Sequence, residues 1–214
     1  MSANSRTILL AGATSASGFA VASALIAAGA RVVATGRSES RLEPLRDLGA
    51  EVEVADATSL SSMNELAARL GAVDAVVSLV GGWRGGGGLA GQTDDDFRAL
   101  LPALEAVRAT SRAFDGALRA SEAGRFAIVS STAVARPLAG GANYAAVKAA
   151  SEAWARAVAQ GFAKAARDAE EPLRAASVVF RAKALGPESL ASAVLGLWDA
   201  DAAELNDRII DLEP

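Results

Sequence analysis

Seven short apolar runs punctuate the chain, and alanine-rich segments of helical period separate them. The runs are TILLAG (7–12), RVVATG (31–36), EVEVAD (51–56), DAVVSLVG (74–81), RFAIVSS (125–131), RAASVVF (174–180) and RIIDL (208–212). The helical segments fall near 18–28, 40–48, 59–70, 94–119, 143–167 and 187–200. Apolar runs that are continuous rather than alternating suit strands buried on both faces. Joined by helices, such strands build a parallel sheet covered on both sides. The expectation is an α/β fold with a seven-stranded, mostly parallel, doubly wound sheet. Seven strands and six helices fill the 214 residues, so residues 1–214 read as one domain. KAARDAEEP (164–172) reads as a helix end and surface loop rather than a linker.

Residue types that are missing narrow the chemistry. The chain has no cysteine and no histidine. Disulfides, thiol chemistry and imidazole bases are therefore excluded, together with Ser-His-Asp hydrolysis and most zinc sites. The net charge of −4 is interspersed, with no basic face to suggest a nucleic-acid partner. The start MSANSRTILLAGATSASGF lacks the pattern of a signal peptide, and no apolar stretch reaches membrane-spanning length. A cytoplasmic protein is expected. Proton carriers are limited to carboxylates, Lys148, Lys164, Lys183 and the single tyrosine, Tyr144. A carboxylate-bound magnesium is conceivable, but TDDDF (93–97) reads better as a helix start, with Thr93 as cap and the acids at the positive end of the dipole. No metal is expected.

Two stretches carry chemistry. In LLAGATSASGF a strand runs into Gly12 and a helix begins near Gly18, with small residues between. Such a turn lets backbone amides and a helix N-terminus approach a pyrophosphate closely, although it also suits an ordinary strand-to-helix turn. In VSSTAVARPLAGGANYAAVKAASEAW, Ser131 ends a strand, Tyr144 follows thirteen residues later and Lys148 four after that. Residues four apart share a helix face. A phenol titrates near 10 when unperturbed, and an ammonium held beside it favours the phenolate. A nearby serine hydroxyl can hold a carbonyl oxygen. This is proton-transfer equipment without histidine; the bland alternative is an ordinary amphipathic helix pair.

On these residues the chain resembles the short-chain dehydrogenase/reductases over nearly its whole length. AGATSASG stands at that family's glycine turn, AD (55–56) where an Asp touches adenine, and YAAVK is its Y-x-x-x-K motif. The resemblance implies a single-domain Rossmann fold, a nicotinamide cofactor and hydride transfer to or from a small-molecule carbonyl substrate. By position, Tyr144 is the proton donor, Lys148 binds the nicotinamide ribose and tunes Tyr144, and Ser131 polarises the carbonyl. Cofactor contacts are implied for Gly12, Thr14, Ser15, Ala16, Ser17, Gly18, Arg37, Asp56, Ala57, Val80, Gly81 and Gly82, besides Tyr144 and Lys148. The family's pairing through its two long helices implies a homodimer or homotetramer.

Several positions depart from the family. Ala16 replaces a turn glycine, SLVG (78–81) stands for its N-N-A-G, and the helix 94–119 has no asparagine. Phe180-Arg181 stands where a Pro-Gly pair usually follows strand six, and the substrate loop after it is nearly gone. These departures support an alternative: an NADP-binding relative with weak or lost catalysis, acting as a sensor or scaffold. The stretch VGGWRGGGG (80–88) follows strand four at the ligand-binding edge. It reads as a mobile loop beside the substrate, with Trp83 as an apolar wall and Arg84 meeting an anion, or as a plain surface loop. It also looks like the matching run of dihydropteridine reductases, which makes a pteridine reductase a narrower alternative. At the end of strand two, Gly36 stands where an NAD-preferring enzyme carries an acid, and Arg37 follows. A guanidinium there can fork onto a 2′-phosphate, with Arg41, Ser38 and Ser40 as further donors, so NADPH is the expected cofactor.

Overall fold

The computed structural model describes residues 3–213. Seven strands form one sheet: β1 (Thr7–Ala11), β2 (Arg31–Gly36), β3 (Glu51–Val54), β4 (Ala75–Ser78), β5 (Arg125–Ser131), β6 (Ala176–Ala182) and β7 (Arg208–Leu212). Their order is β3-β2-β1-β4-β5-β6-β7, and all six pairings are parallel. The helices are α1 (Ala16–Ala27), α2 (Glu39–Asp47), α3 (Leu60–Leu70), α4 (Asp94–Ala120), α5 (Ala142–Asp168), α6 (Pro187–Leu195) and the short α7 (Ala202–Leu205).

Burial on both faces follows from the two-residue period of a strand. In β1, Ile8 and Leu10 point into a core shared with α1, α2 and α6 through Val21, Leu42 and Val194. Leu9 and Ala11 point into the opposite core, where Met63 of α3, Phe114 of α4 and Phe162 of α5 close over them. Each helix therefore covers the sheet with its apolar stripe. At the far end of the strands Arg125 is buried, and its guanidinium donates to the carbonyls of Leu197, Gly124, Arg174 and Ala200 at 2.6–3.2 Å. Burial pulls this guanidinium down to about 10. It ties the start of β5 to the turn Gly196–Trp198 after α6, at the end of the sheet away from the carboxyl ends of the strands.

Several boundaries differ from the sequence reading. The third run stops as a strand at Val54, because Asp56 turns the chain by accepting from both the amide (3.0 Å) and the hydroxyl (2.8 Å) of Thr58. The sixth extends to Ala182. Phe180 and Arg181 thus lie inside β6, paired with Val129 and Ser130 of β5, rather than after the strand. The segment 187–200 divides into α6 and a 3-10 turn at Gly196–Trp198. Thr93 caps α4 as expected, its hydroxyl accepting from the Asp96 amide at 3.1 Å. No helix among the described residues is long and apolar enough to cross a membrane.

Strand order reverses between β1 and β4, since the chain leaves β1 outward to β2 and later returns on its other side. The loops beyond these two strands splay apart and leave a crevice at their carboxyl ends, which is where open α/β sheets bind ligands.

Candidate active site

The crevice begins at the glycine turn. Gly12 has φ +80°, and a Cβ there would stand 2.6 Å from Val80 Cγ2. Only glycine permits both the turn and the close approach of the β4 loop. Ser15 then starts α1, its hydroxyl accepting from the Gly18 amide at 3.1 Å. A cavity of about 370 Å3 lies over this turn, lined by Gly12, Thr14, Ser15, Gly36, Arg37, Ser38, Arg41, Asp56, Ala57, Val80 and Gly81 among others. A second cavity of about 250 Å3 shares Ser15, Val80 and Gly81 and continues through Ser17 and Gly82 to Tyr144 and Lys148. Beyond Tyr144 a wider groove of about 780 Å3 includes Trp83 and Ser131.

Most of the residues singled out from sequence thus line one continuous crevice. Three do not. Gly18 is buried beneath the turn, Ala16 faces a shallow pocket with Phe19 and Arg41, and Arg84 folds back to donate to the Trp83 carbonyl at 2.9 Å.

Tyr144 and Lys148 sit one turn apart on α5, with the Lys148 Nζ 5.8 Å from the centroid of the Tyr144 ring. Lys148 is buried, its Nζ donating to the Val129 carbonyl at 2.7 Å. A Cβ added to Gly81 would lie 3.5 Å from that Nζ, so the ammonium sits directly against the β4 loop. Burial lowers Lys148 to about 8, against the opposing charge of Glu152. Ser131 accepts from the Ala133 amide at 3.2 Å, which leaves its own proton for a ligand.

Behind these groups stands a network that the sequence does not advertise. Glu152, one turn after Lys148, accepts from Ser130 at 2.6 Å and from both ends of the Arg181 guanidinium at 2.8 and 2.5 Å. Burial alone would raise this carboxyl, but the hydrogen bonds from Arg181 and Ser130 and the charges of Arg181 and Arg156 outweigh it and hold it below its usual range. Arg181 is therefore an anchor for α5 on β6.

The glycine-rich loop is stapled in place rather than loose. Gln92 Nε2 donates to the carbonyls of Gly86 (3.1 Å), Gly88 (3.3 Å) and Gly140 (3.0 Å), while its Oε1 accepts from the Asn143 amide at 3.1 Å. The Gly86 amide adds a bond of 2.7 Å to the Gly140 carbonyl. Gln92 thus connects the loop that carries Trp83 to the residue preceding Tyr144.

The short chain dehydrogenase family description matches residues 6–166, well over half of the chain. The chain belongs to the short-chain dehydrogenase family. Among relatives, 3-oxoacyl-[acyl-carrier-protein] reductase FabG of Salmonella typhimurium is 33% identical over 157 residues, which is 70% of this chain and 64% of that protein. The matched stretch thus falls just short of two thirds of the relative. Among solved structures, a short chain dehydrogenase from Salmonella enterica serovar Typhi superposes with a TM-score of 0.86 at 18% identity, covering 99% of this chain and 97% of that one. A gluconate 5-dehydrogenase from Burkholderia cenocepacia, in complex with NADP and tartrate, gives 0.81 at 21% identity over 98% and 94%. These two share the fold. The crevice described above lies at the carboxyl ends of β1 and β4, the edge where open α/β sheets bind ligands.

Proposed function

We propose that the chain is an NADPH-dependent reductase of carbonyl compounds in which Tyr144 donates the proton. The observation that carries the reading is the placement of Tyr144, Lys148 and Ser131 at the far end of a crevice that starts at the Gly12 turn. The crevice fits a dinucleotide: Gly12, where a Cβ would collide with Val80, lines its first part, and Ser15, which caps α1, lines both its first and its second part. Arg37 and Asp56 line the adenosine half, Lys148 and Tyr144 the nicotinamide half. When bound, the reduced cofactor supplies a hydride to the carbonyl carbon.

The chain's own groups handle the oxygen. Ser131 donates its hydroxyl proton to the carbonyl oxygen as a hydrogen bond and fixes its position. Tyr144 transfers its phenolic proton to that oxygen as negative charge develops, and is left as phenolate. The Lys148 ammonium favours that phenolate electrostatically. Solvent reprotonates Tyr144 through the open groove, and no asparagine on α4 is required for it. NADPH oxidation against a panel of ketones, aldehydes, quinones and quinonoid dihydropterin tests this reading. Tight NADPH binding with no oxidation by any of them would favour the sensor or scaffold alternative instead.

The cofactor's phosphate is assigned on the same grounds. Gly36, Arg37, Ser38 and Arg41 line the outer end of the crevice. A Cβ at Gly36 would stand 2.9 Å from Thr14 Cγ2, so an acid at this place would have to displace Thr14 as well as repel the phosphate. NADPH is expected to bind at least about tenfold tighter than NADH, about 1.4 kcal/mol. Arg37→Leu should bring the two together in fluorescence titrations at moderate salt. Equal affinities in the unmodified protein would refute the assignment. A homodimer or homotetramer built on α4 and α5 belongs to the same proposal, and a monomer mass in light scattering would overturn that part.

A further inference from the structure

We infer that the substrate is a carbonyl compound bearing a carboxylate on an apolar body, and that Arg136 and Lys183 receive the carboxylate. The inference rests on the carbonyl-reductase reading above and specifies its substrate class. The groove beyond Tyr144 holds about 780 Å3, room for a molecule well beyond a simple ketone. Its lining includes two cations, Arg136 and Lys183, and no carboxylate. Arg136 comes from the β5–α5 connection and Lys183 from the residue just past β6, so two separate loops bring positive charge to one groove. Neither side chain makes an ion pair or hydrogen bond with the described residues, in a chain whose net charge is −4. Both charges are thus available to a ligand.

The apolar part of the groove points the same way. Trp83 and Leu138 are 62% and 71% exposed, and both line it. Large apolar side chains held this open beside a reactive tyrosine offer a wall for an aromatic or aliphatic body. The β6–α6 connection is only Lys183–Gly186, so this loop is too short to fold over the ligand as a lid. In a groove that stays open, hydrophobic closure contributes little, and charge pairing becomes a main source of discrimination. Arg136 can fork onto a carboxylate, and Lys183 can add a point charge. Arg84, which the sequence suggested for this role, is turned onto the Trp83 carbonyl and does not line the groove.

The test compares 4-carboxybenzaldehyde with its methyl ester, which differ in the charge. With saturating NADPH, kcat/KM for the acid should exceed that for the ester at least tenfold at low salt. The ratio should shrink as about 0.5 M NaCl screens the pair. Arg136→Gln and Lys183→Gln should each move the ratio several-fold towards one, and the double variant further. Both positions are exposed, so folding is not at stake. Equal turnover of acid and ester would overturn the inference and leave the reductase reading standing. If neither aldehyde is reduced, the reductase reading fails for this pair, and calorimetric titration of both compounds into the NADP-loaded protein still decides the anion site. Tighter binding of the acid, lost in the double variant, supports it; indistinguishable affinities overturn it.

Discussion

Tyr144→Phe is expected to lower NADPH oxidation on a verified substrate by roughly 10³-fold, within the range general acid catalysis supplies. NADPH affinity should stay within a few-fold. The loss follows from what else could donate the proton. The chain has no histidine and a single tyrosine. Ser131 shares the groove, but an unassisted aliphatic hydroxyl is a far weaker acid than a phenol. Lys148 is turned to the Val129 carbonyl at 2.7 Å, away from the groove that holds Ser131. Water can reach the open groove, which sets a floor to the residual rate. The phenyl ring of the variant keeps its place beside Val147 in the packing of α5 against Leu100 and Ala103 of α4, so a folding defect is not anticipated. Activity within tenfold of the unmodified enzyme would remove Tyr144 from the chemistry.

The groups in that prediction were legible in the sequence because each belongs to a local pattern. Tyr144 and Lys148 share one helix, and the Gly12 turn is continuous in sequence. The strands were legible for a related reason: a segment buried on both faces must be apolar throughout, as Leu9 and Leu10 show by pointing into opposite cores. Groups that meet only through tertiary register were not legible. Ser130 and Arg181 lie side by side because β5 and β6 pair in that register, and Glu152 reaches both from α5. Nothing within ten residues of Arg181 signals a buried ion pair. Gln92 and Asn143 meet across 51 positions. Without that contact, a glycine-rich run reads as mobile. Arg136 and Lys183 look like ordinary solvated charges until two loops bring them to one groove. The extension of β6 to Ala182 is not legible either, because an arginine in an interior strand contradicts the apolar pattern unless its partner is known.

Glu152→Leu is expected to destabilise the protein by about 2–3 kcal/mol, less than the full cost of breaking a wholly buried pair because the Arg181 side chain keeps 19% of its exposure. For a chain of this length that is a fall of roughly 5–10 °C in Tm, measured by circular dichroism. The cost comes from Arg181, left without its carboxylate, and from Ser130, whose buried hydroxyl loses its acceptor. Replacing both members of the pair, Glu152→Leu with Arg181→Met, should restore most of the loss, short of the contribution of Ser130. The difference between unmodified protein and Glu152→Leu has a defined pH course. The folded carboxyl lies below 4.5, so its contribution is present above that value and disappears as pH falls through the folded one. The network is also expected to act on catalysis through charge. Glu152 opposes the burial that lowers Lys148 to about 8. Above that pH the ammonium is lost, Tyr144 becomes a poorer acid, and kcat/KM for reduction should decline. Without the negative charge of Glu152 the decline should begin at lower pH, even in the double variant whose stability has recovered. A merely structural anchor would move Tm and leave the pH profile where it was. A Glu152→Leu protein that melts within 2 °C of the parent, or a double variant no more stable than the single, would remove the pair from the fold's support.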